Sequence, residues 1–284
     1  MKQREIPIAL NVVGGYLAEE GCPLIFLPLK PGLKVKFLKG RNGLFLENVE
    51  KFVNSERLES ITNTLFQHVE ERVGLEVVNV PYSIPTLGYE SAILAALAEY
   101  SGVNSSLLQF IIEEKVKSAE RGVIAGGAIC SYARKPVAYR VSEGYVELEK
   151  GVQNMYLYII GFDSVVSLNE IMTRVKKLKN EHSGVFEPLF HALCRLSIEV
   201  ANSLRNGEIE KLSFMLSVGH RILSAGGLTS RQVDRIVWEL EEKGVRGKLL
   251  EDVGQYIFTL TIEDLNSDLK SWFENLEVYA FHVV

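Results

Sequence analysis

Residues 84–92, Ile-Pro-Thr-Leu-Gly-Tyr-Glu-Ser-Ala, form a shortened loop that feeds straight into a small-residue helix ending near Gly102. A loop of this kind before a helix start collects phosphate oxyanions on backbone N–H groups. It does so when several glycines let those groups turn inward and small hydroxyl residues open the helix. One glycine remains here, Gly88. The positions that would meet a phosphate carry the phenol of Tyr89 and the carboxylate of Glu90, followed by Ser91. The frame of a phosphate site is legible, but its chemistry is altered.

Around this loop the pattern is α+β. Apolar or alternating runs at 6–13, 24–29, 33–37 and 44–46 are separated by Gly14-Gly15, Pro31-Gly32 and Asn42-Gly43, which are strand and turn signals. Ser55 reads as the cap of a helix running to Val73, followed by a strand at 75–80. After the Gly88 loop come helices at about 90–100 and 105–119. The stretch 123–131 returns to strand character, with Gly126 and Gly127 marking a bulge or close packing. A hairpin follows, 137–141 and 145–148 around Ser142-Glu143-Gly144, then a buried strand at 155–160. From 168 to 244 the periodicity is helical, and the chain closes on strand, helix and strand. A division into 1–150 and 151–284 is expected, although no flexible linker marks it.

With 284 residues, 47% of them hydrophobic, the chain can bury a large core. A net charge of −5 without charge runs argues against nucleic acid or an anionic membrane as partner. No stretch has the roughly 18 uninterrupted apolar residues of a membrane span, and the N-terminus lacks a signal-peptide core. Cys22, Cys130 and Cys194 are odd in number, widely spaced and set in apolar sequence, which fits free thiols in the reducing cytoplasm.

In order, these elements resemble the GHMP small-molecule kinase superfamily, most of all its mevalonate kinase branch. Residues 6–23 align without a gap to the family's opening strand and turn, with Pro7, Gly14, Gly21 and Pro23 in place. Where the family has a lysine and a Glu-His pair beside substrate and phosphate, this chain has Ala9, Gly15 and Tyr16. Pro85 and 87–92 resemble the family's proline and Gly-Leu-Gly-Ser-Ser-Ala-Ala loop, shortened. Ala125-Gly126-Gly127-Ala128 falls on the family's Ser-Gly-x-Asp, with Ala128 where the aspartate base stands. The run to Ser131 is also similar to the decarboxylase branch, with Cys130 at its arginine position. Residues 159–163 and 206–233 resemble the family's second half. Gly247-Lys248-Leu249 keeps the last motif's frame, but Glu251-Asp252-Val253 replaces its glycine run.

The resemblance implies an α+β GHMP kinase fold, with an N-terminal subdomain of ribosomal protein S5 domain 2-like type and a C-terminal ferredoxin-like subdomain. It also implies ATP and Mg²⁺ as cofactors. Carried over by position, Gly88, Tyr89, Glu90 and Ser91 are the candidate cofactor-binding residues. Gly14, Gly15, Tyr16, Gly126 and Gly127 are the candidate substrate-binding residues. No catalytic group and no metal ligand can be named.

Phosphoryl transfer depends on positioning and charge neutralisation, so losing the lysine, the base and the glycine loop together argues against efficient chemistry. A carboxylate 4–5 Å from a phosphate oxygen repels it by roughly 1 kcal/mol in water and several-fold more when partly buried. Glu90 reads either as a solvated first-turn residue or as a contact to Mg²⁺. Glu251 and Asp252 read as a solvated turn, with metal binding as the rival. Three functions stay open: a non-catalytic relative kept to bind a small molecule or a partner protein, including a second copy as a homodimer; a kinase of a mevalonate-like molecule with a non-standard site; and a decarboxylase-like lyase.

Overall fold

The computed structural model describes residues 3–41, 43–67, 73–84, 86–149, 151, 154–161, 167–252 and 256–284. Asn42, Pro85, Phe162-Asp163 and Val253, singled out in the sequence, lie outside the described residues. Among the described residues ten strands, β1 (Arg4–Val13), β2 (Leu24–Lys39), β3 (Gly43–Phe45), β4 (Val73–Asn79), β5 (Val137–Arg140), β6 (Gly144–Glu147), β7 (Tyr156–Gly161), β8 (Gly247–Leu249), β9 (Ile257–Thr261) and β10 (Glu277–Val283), form one sheet in the order β3-β4-β2-β10-β7-β9-β8, with β1 and β5 also on β2, and β6 on β5.

The organising element is β2, Leu24–Lys39, which spans the expected turn at Pro31-Gly32 as a single strand. Three local features replace the turn. Pro31 has no N–H to contribute to a ladder. Gly32 donates its N–H to Glu5 Oε1 at 2.8 Å and lies so close to β1 that a Cβ would stand 2.2 Å from Ile6 O. The ladder to β1, Arg4–Val13, shifts register between Ile6 and Ile8, so the strand bends and keeps its pairing.

Beyond that bend β2 pairs with β4, Val73–Asn79, and β4 pairs in parallel with β3, Gly43–Phe45. Before it, β2 pairs with β5, Val137–Arg140, which forms the expected hairpin with β6, Gly144–Glu147. Helix α1, Ser55–Phe66, is capped by Asn54, not Ser55. The Asn54 side chain accepts from Arg57 N–H at 3.0 Å.

On this sheet lie α2, Gly88–Ser101, and α4, Arg121–Ala133, with α3, Ser105–Lys115, beside them. The strand expected at 123–131 is α4. A short apolar run buried on every side has no period that separates helix from strand, and glycine decides the matter through approach distance. A Cβ at Gly126 would stand 2.3 Å from the Phe26 ring, and one at Gly127 would stand 2.5 Å from Ser91 Oγ. The two glycines let the helix backbone sit against the sheet and against α2.

In the second half, β7, Tyr156–Gly161, precedes helices α5, Leu168–Glu181, α6, Ser183–Asn206, α7, Ile209–Ala225, and α8, Arg231–Glu242. Ser167 and Glu170 close a capping box on α5. Then follow β8, Gly247–Leu249, β9, Ile257–Thr261, α9, Asn266–Trp272, and β10, Glu277–Val283. β10 pairs with β7 along its length and with β2 at Leu29 and Lys30, so both halves of the chain share one sheet. No helix among the described residues is long and apolar enough to cross a membrane.

Gly126→Val should destabilise the fold by about 1–3 kcal/mol through overpacking against Phe26. Gly184→Ala, at a helical position with nothing within 4 Å of the added methyl, should change stability by less than about 1 kcal/mol. Urea denaturation of the two variants checks the pair.

Candidate functional site

The altered motifs converge at one junction. The β1–β2 connection starts at Gly14, where φ is +94° and a Cβ would stand 2.3 Å from Pro23 O. Only glycine suits both conditions. The chain then enters a 3₁₀ turn, Gly15–Glu20, which buries Gly15 and Tyr16. Gly15 faces Asn11 and Glu251, with a hypothetical Cβ 2.5 Å from Asn11 Oδ1 and 3.0 Å from Glu251 O. Tyr16 N–H donates to Glu251 Oε2 at 3.2 Å.

Across the junction, Thr86 accepts the Gly88 N–H at 3.0 Å and donates its hydroxyl to Asp252 Oδ2. Gly88 lies against Ala9, a Cβ there falling 2.6 Å from Ala9 O. Ser91 donates to Ile124 O of α4 at 3.2 Å and packs on Gly127.

Glu251 and Asp252, expected in a solvated turn, are only 2% and 3% exposed. Glu251 holds the ammonium of Lys248, which is fully buried and also donates to Leu249 O at 3.1 Å. Burial pulls the Lys248 pKa down, against the opposing pull of Glu251. Burial pushes Asp252 up to about 7, while the hydrogen bond from Thr86 works against that rise. The Tyr16 phenol is raised by burial and then by the facing charges of Glu251 and Asp252. Asn11 Oδ1, Tyr16 Oη and Asp252 Oδ1 are buried without a hydrogen-bond partner among the described residues.

Tyr89 and Glu90 turn away from the junction, and neither is solvated. The Tyr89 hydroxyl donates to Tyr82 O, and its ring packs at 5.7 Å from that of Phe52. Glu90 receives a two-pronged Arg57, Nε to Oε2 at 2.8 Å and Nη2 to Oε1 at 2.7 Å, together with Asn54 N–H at 2.8 Å. Arg57 also binds Glu120. Burial tends to lower the Arg57 pKa, but the bonds and charges of Glu90 and Glu120 outweigh it and raise the value. Gly126 faces the sheet, not the junction.

Of the sequence candidates, Gly15, Tyr16, Gly88, Ser91 and Gly127 come together around the junction. The sequence reading did not single out Asn11, Thr86 or Lys248 at the junction, nor Arg57 and Glu120 beside Glu90; the Thr86–Asp252 and Arg57–Glu90 pairs join residues far apart along the chain. The spacing of Lys248 and Glu251, three residues apart, was the one local signal available.

The Gly88 N–H is already bonded, the Lys248 cation is already neutralised, and a carboxylate stands beside Thr86. No group of three or more His, Cys, Asp or Glu side chains among the described residues is placed to hold a metal ion. Surface cavities of about 450, 500 and 680 Å³ lie elsewhere, around Lys36 and Phe45, around Arg231 and Trp272, and around Arg221 and Trp238.

No known family model matches the chain. In sequence it is 21% identical to the mevalonate kinase of Saccharolobus solfataricus, across 87% of this chain and 85% of that one. In structure it superposes on Methanococcus jannaschii mevalonate kinase with a TM-score of 0.74 at 12% identity, covering 100% of this chain and 98% of that one. It also superposes on Streptococcus pneumoniae phosphomevalonate kinase in complex with phosphomevalonate and AMPPNP, with a TM-score of 0.73 at 12% identity and 100% coverage of both chains. The fold is the α+β fold of the GHMP small-molecule kinases. The sequence relative is similar to this chain along most of both lengths, and the solved neighbours share its fold.

Removing one member of the buried pair should be costly. Lys248→Met strands Glu251 and should destabilise by about 3–5 kcal/mol, while Lys248→Met with Glu251→Gln should recover most of the loss. The measurement is urea denaturation of the single and double variants. Asp252 has a second, pH-dependent signature. Its folded-state pKa of about 7 lies above its ordinary 3.8, so the folded chain binds the proton more tightly than the unfolded chain. Stability from this group therefore falls as pH rises through that window. Asp252→Asn should flatten the dependence and melt higher than the parent at about pH 8, with little gain at about pH 4. Thermal melts across pH decide it.

Proposed function

We propose that this chain is a mevalonate kinase-like protein that is not an efficient ATP-dependent kinase. One observation carries the reading: the Glu251-Asp252 turn lies in the junction where the family's glycine run would meet phosphates, bonded to Lys248, Tyr16 and Thr86. Bringing a triphosphate there would bury three or more negative charges beside two existing carboxylates. Such a site binds poorly in a low-dielectric interior unless a cation is added. ATP and Mg²⁺ are the cofactors the family resemblance implies, and the residues at the junction do not fit them.

The same junction retains three buried oxygens, on Asn11, Tyr16 and Asp252, without partners among the described residues. These favour retention of the scaffold as a binding module for a compact polar molecule able to donate hydrogen bonds.

Calorimetric titration of the full chain with ATP·Mg²⁺, and separately with mevalonate and its phosphates, tests the reading. The expected outcome is no saturable nucleotide binding at millimolar ATP and no ADP formation with any of these acceptors. Saturable ATP binding at micromolar concentration, or turnover, would reverse it.

A further inference from the structure

We propose that the outer face of α7 joins two copies of this chain in a twofold dimer, in which Phe214 and Arg246 of each copy enter the groove beside Trp238 and Glu242 of the other. The inner face of α7 is committed to the protein interior. Gly219 lies against Lys248, a Cβ there falling 3.3 Å from Lys248 Cε, and His220 Nδ1 accepts the Leu249 N–H at 3.3 Å. The outer face carries Phe214, Val218, Arg221 and Ala225, spaced i, i+4, i+7 and i+11 along one stripe of the helix. Phe214 is 47% exposed, and Trp238 on the neighbouring α8 is 71% exposed. Large apolar side chains gathered on an outer face mark a contact surface.

The two ends of the stripe are complementary in shape and in charge. At the N-terminal end the Phe214 ring is half exposed, with the Arg246 guanidinium 5.5 Å from its centre. Arg246 is held there by donating from Nη1 to Glu210 O at 3.2 Å. At the C-terminal end lies the open groove of about 680 Å³, walled by Ala225, Asp234, Trp238, Glu241 and Glu242. Arg221 neutralises Glu241 at 2.9 Å. Asp234 accepts from Ser224 at 2.9 Å and faces His220 at 3.2 Å. Glu242 is left as the groove's carboxylate with no ion pair among the described residues, and it is exposed.

One end therefore offers an aromatic ring with a cation on it, and the other offers an aromatic wall with an unmatched anion. Phe214 and Ala225 are about 16 Å apart along the helix axis, at 1.5 Å per residue. A twofold axis across the middle of the stripe sets the two α7 helices antiparallel. It brings Phe214 onto the partner's Ala225, Val218 onto the partner's Arg221, and Arg246 to the partner's Glu242. The methyl of Ala225 leaves room for the phenyl ring, and the Trp238 indole gives both ring and guanidinium a face to pack on. The aliphatic stem of Arg221 covers Val218 while its head group stays with Glu241. In such an isologous contact each pairing occurs twice, and the assembly closes at two copies. A different protein would have to reproduce this order of ring, cation, indole and carboxylate; a second copy of the chain already carries it.

Sedimentation equilibrium of the full chain tests the proposal. With rising protein concentration the parent should move from the mass of one chain toward twice that mass. Phe214→Ser and Trp238→Ala should each weaken the dimer by about tenfold or more. Glu242→Arg and Arg246→Glu should each do the same by setting like charges together. An equimolar mixture of those two charge variants should regain the parent's association, because every contact in the mixed dimer again joins opposite charges. A parent that keeps the mass of one chain up to near-millimolar protein, a dimer untouched by the four substitutions, or no recovery when the two folded charge variants are mixed would overturn the proposal. Should either charge variant fail to fold, Phe214→Ser and Trp238→Ala decide it.

Discussion

Everything in this molecule hangs on keeping the backbone of one long strand paired. β2 runs from Leu24 to Lys39 and gives hydrogen bonds to β1, β4, β5 and β10 along different parts of its length. Buried backbone groups left unpaired cost as much as a lost hydrogen bond each, so its bend at Pro31 has to be accommodated without breaking the ladders. The shift in register against β1 and the Glu5 bond to Gly32 do that. Because β1 and β2 are fixed, the Gly14–Pro23 connection between them is fixed as well, and it delivers Gly15 and Tyr16 to the junction.

At that junction the chain sets buried charge. A glycine run would leave N–H groups free and no side chains in the way. Glu251 and Asp252 bring two carboxylates into a buried space, and each must then be matched: one by Lys248 and the Tyr16 N–H, the other by the Thr86 hydroxyl and a raised proton affinity. A buried ion pair adds little net stability, yet losing either partner is expensive. The replacement is therefore self-locking, since Lys248 cannot serve an incoming anion without stranding Glu251. The Arg57, Glu90 and Glu120 cluster applies the same logic at the other side of α2, anchoring its first turn to α1.

Much of the fold was legible because the signals were local. The turn at Ser142-Glu143-Gly144 and the periodicity of α5 to α8 each follow from neighbours within a few residues. The strand expected at 123–131 failed because α4 is apolar all round, and its helical character depends on Phe26, Tyr139 and Ser91, which lie far away in sequence. The turn expected at Pro31-Gly32 failed for a related reason, since its outcome depended on the strand beside it.

For the site, the sequence by itself determined which side chains stand at the candidate positions. Ala9, Ala128 and a single Gly88 cannot neutralise charge, accept a proton or wrap a phosphate, wherever they are placed. Only the tertiary structure decided what surrounds them. The bond of Asp252 to Thr86, the bond of Tyr16 to Glu251 and the turning of Glu90 toward Arg57 are set by partners tens to hundreds of residues apart, and even the nearby Lys248–Glu251 pair owes its burial to the surrounding fold. The charge state and exposure of a carboxylate depend on what surrounds it in space, and a linear pattern carries no information about that neighbourhood until the chain has folded.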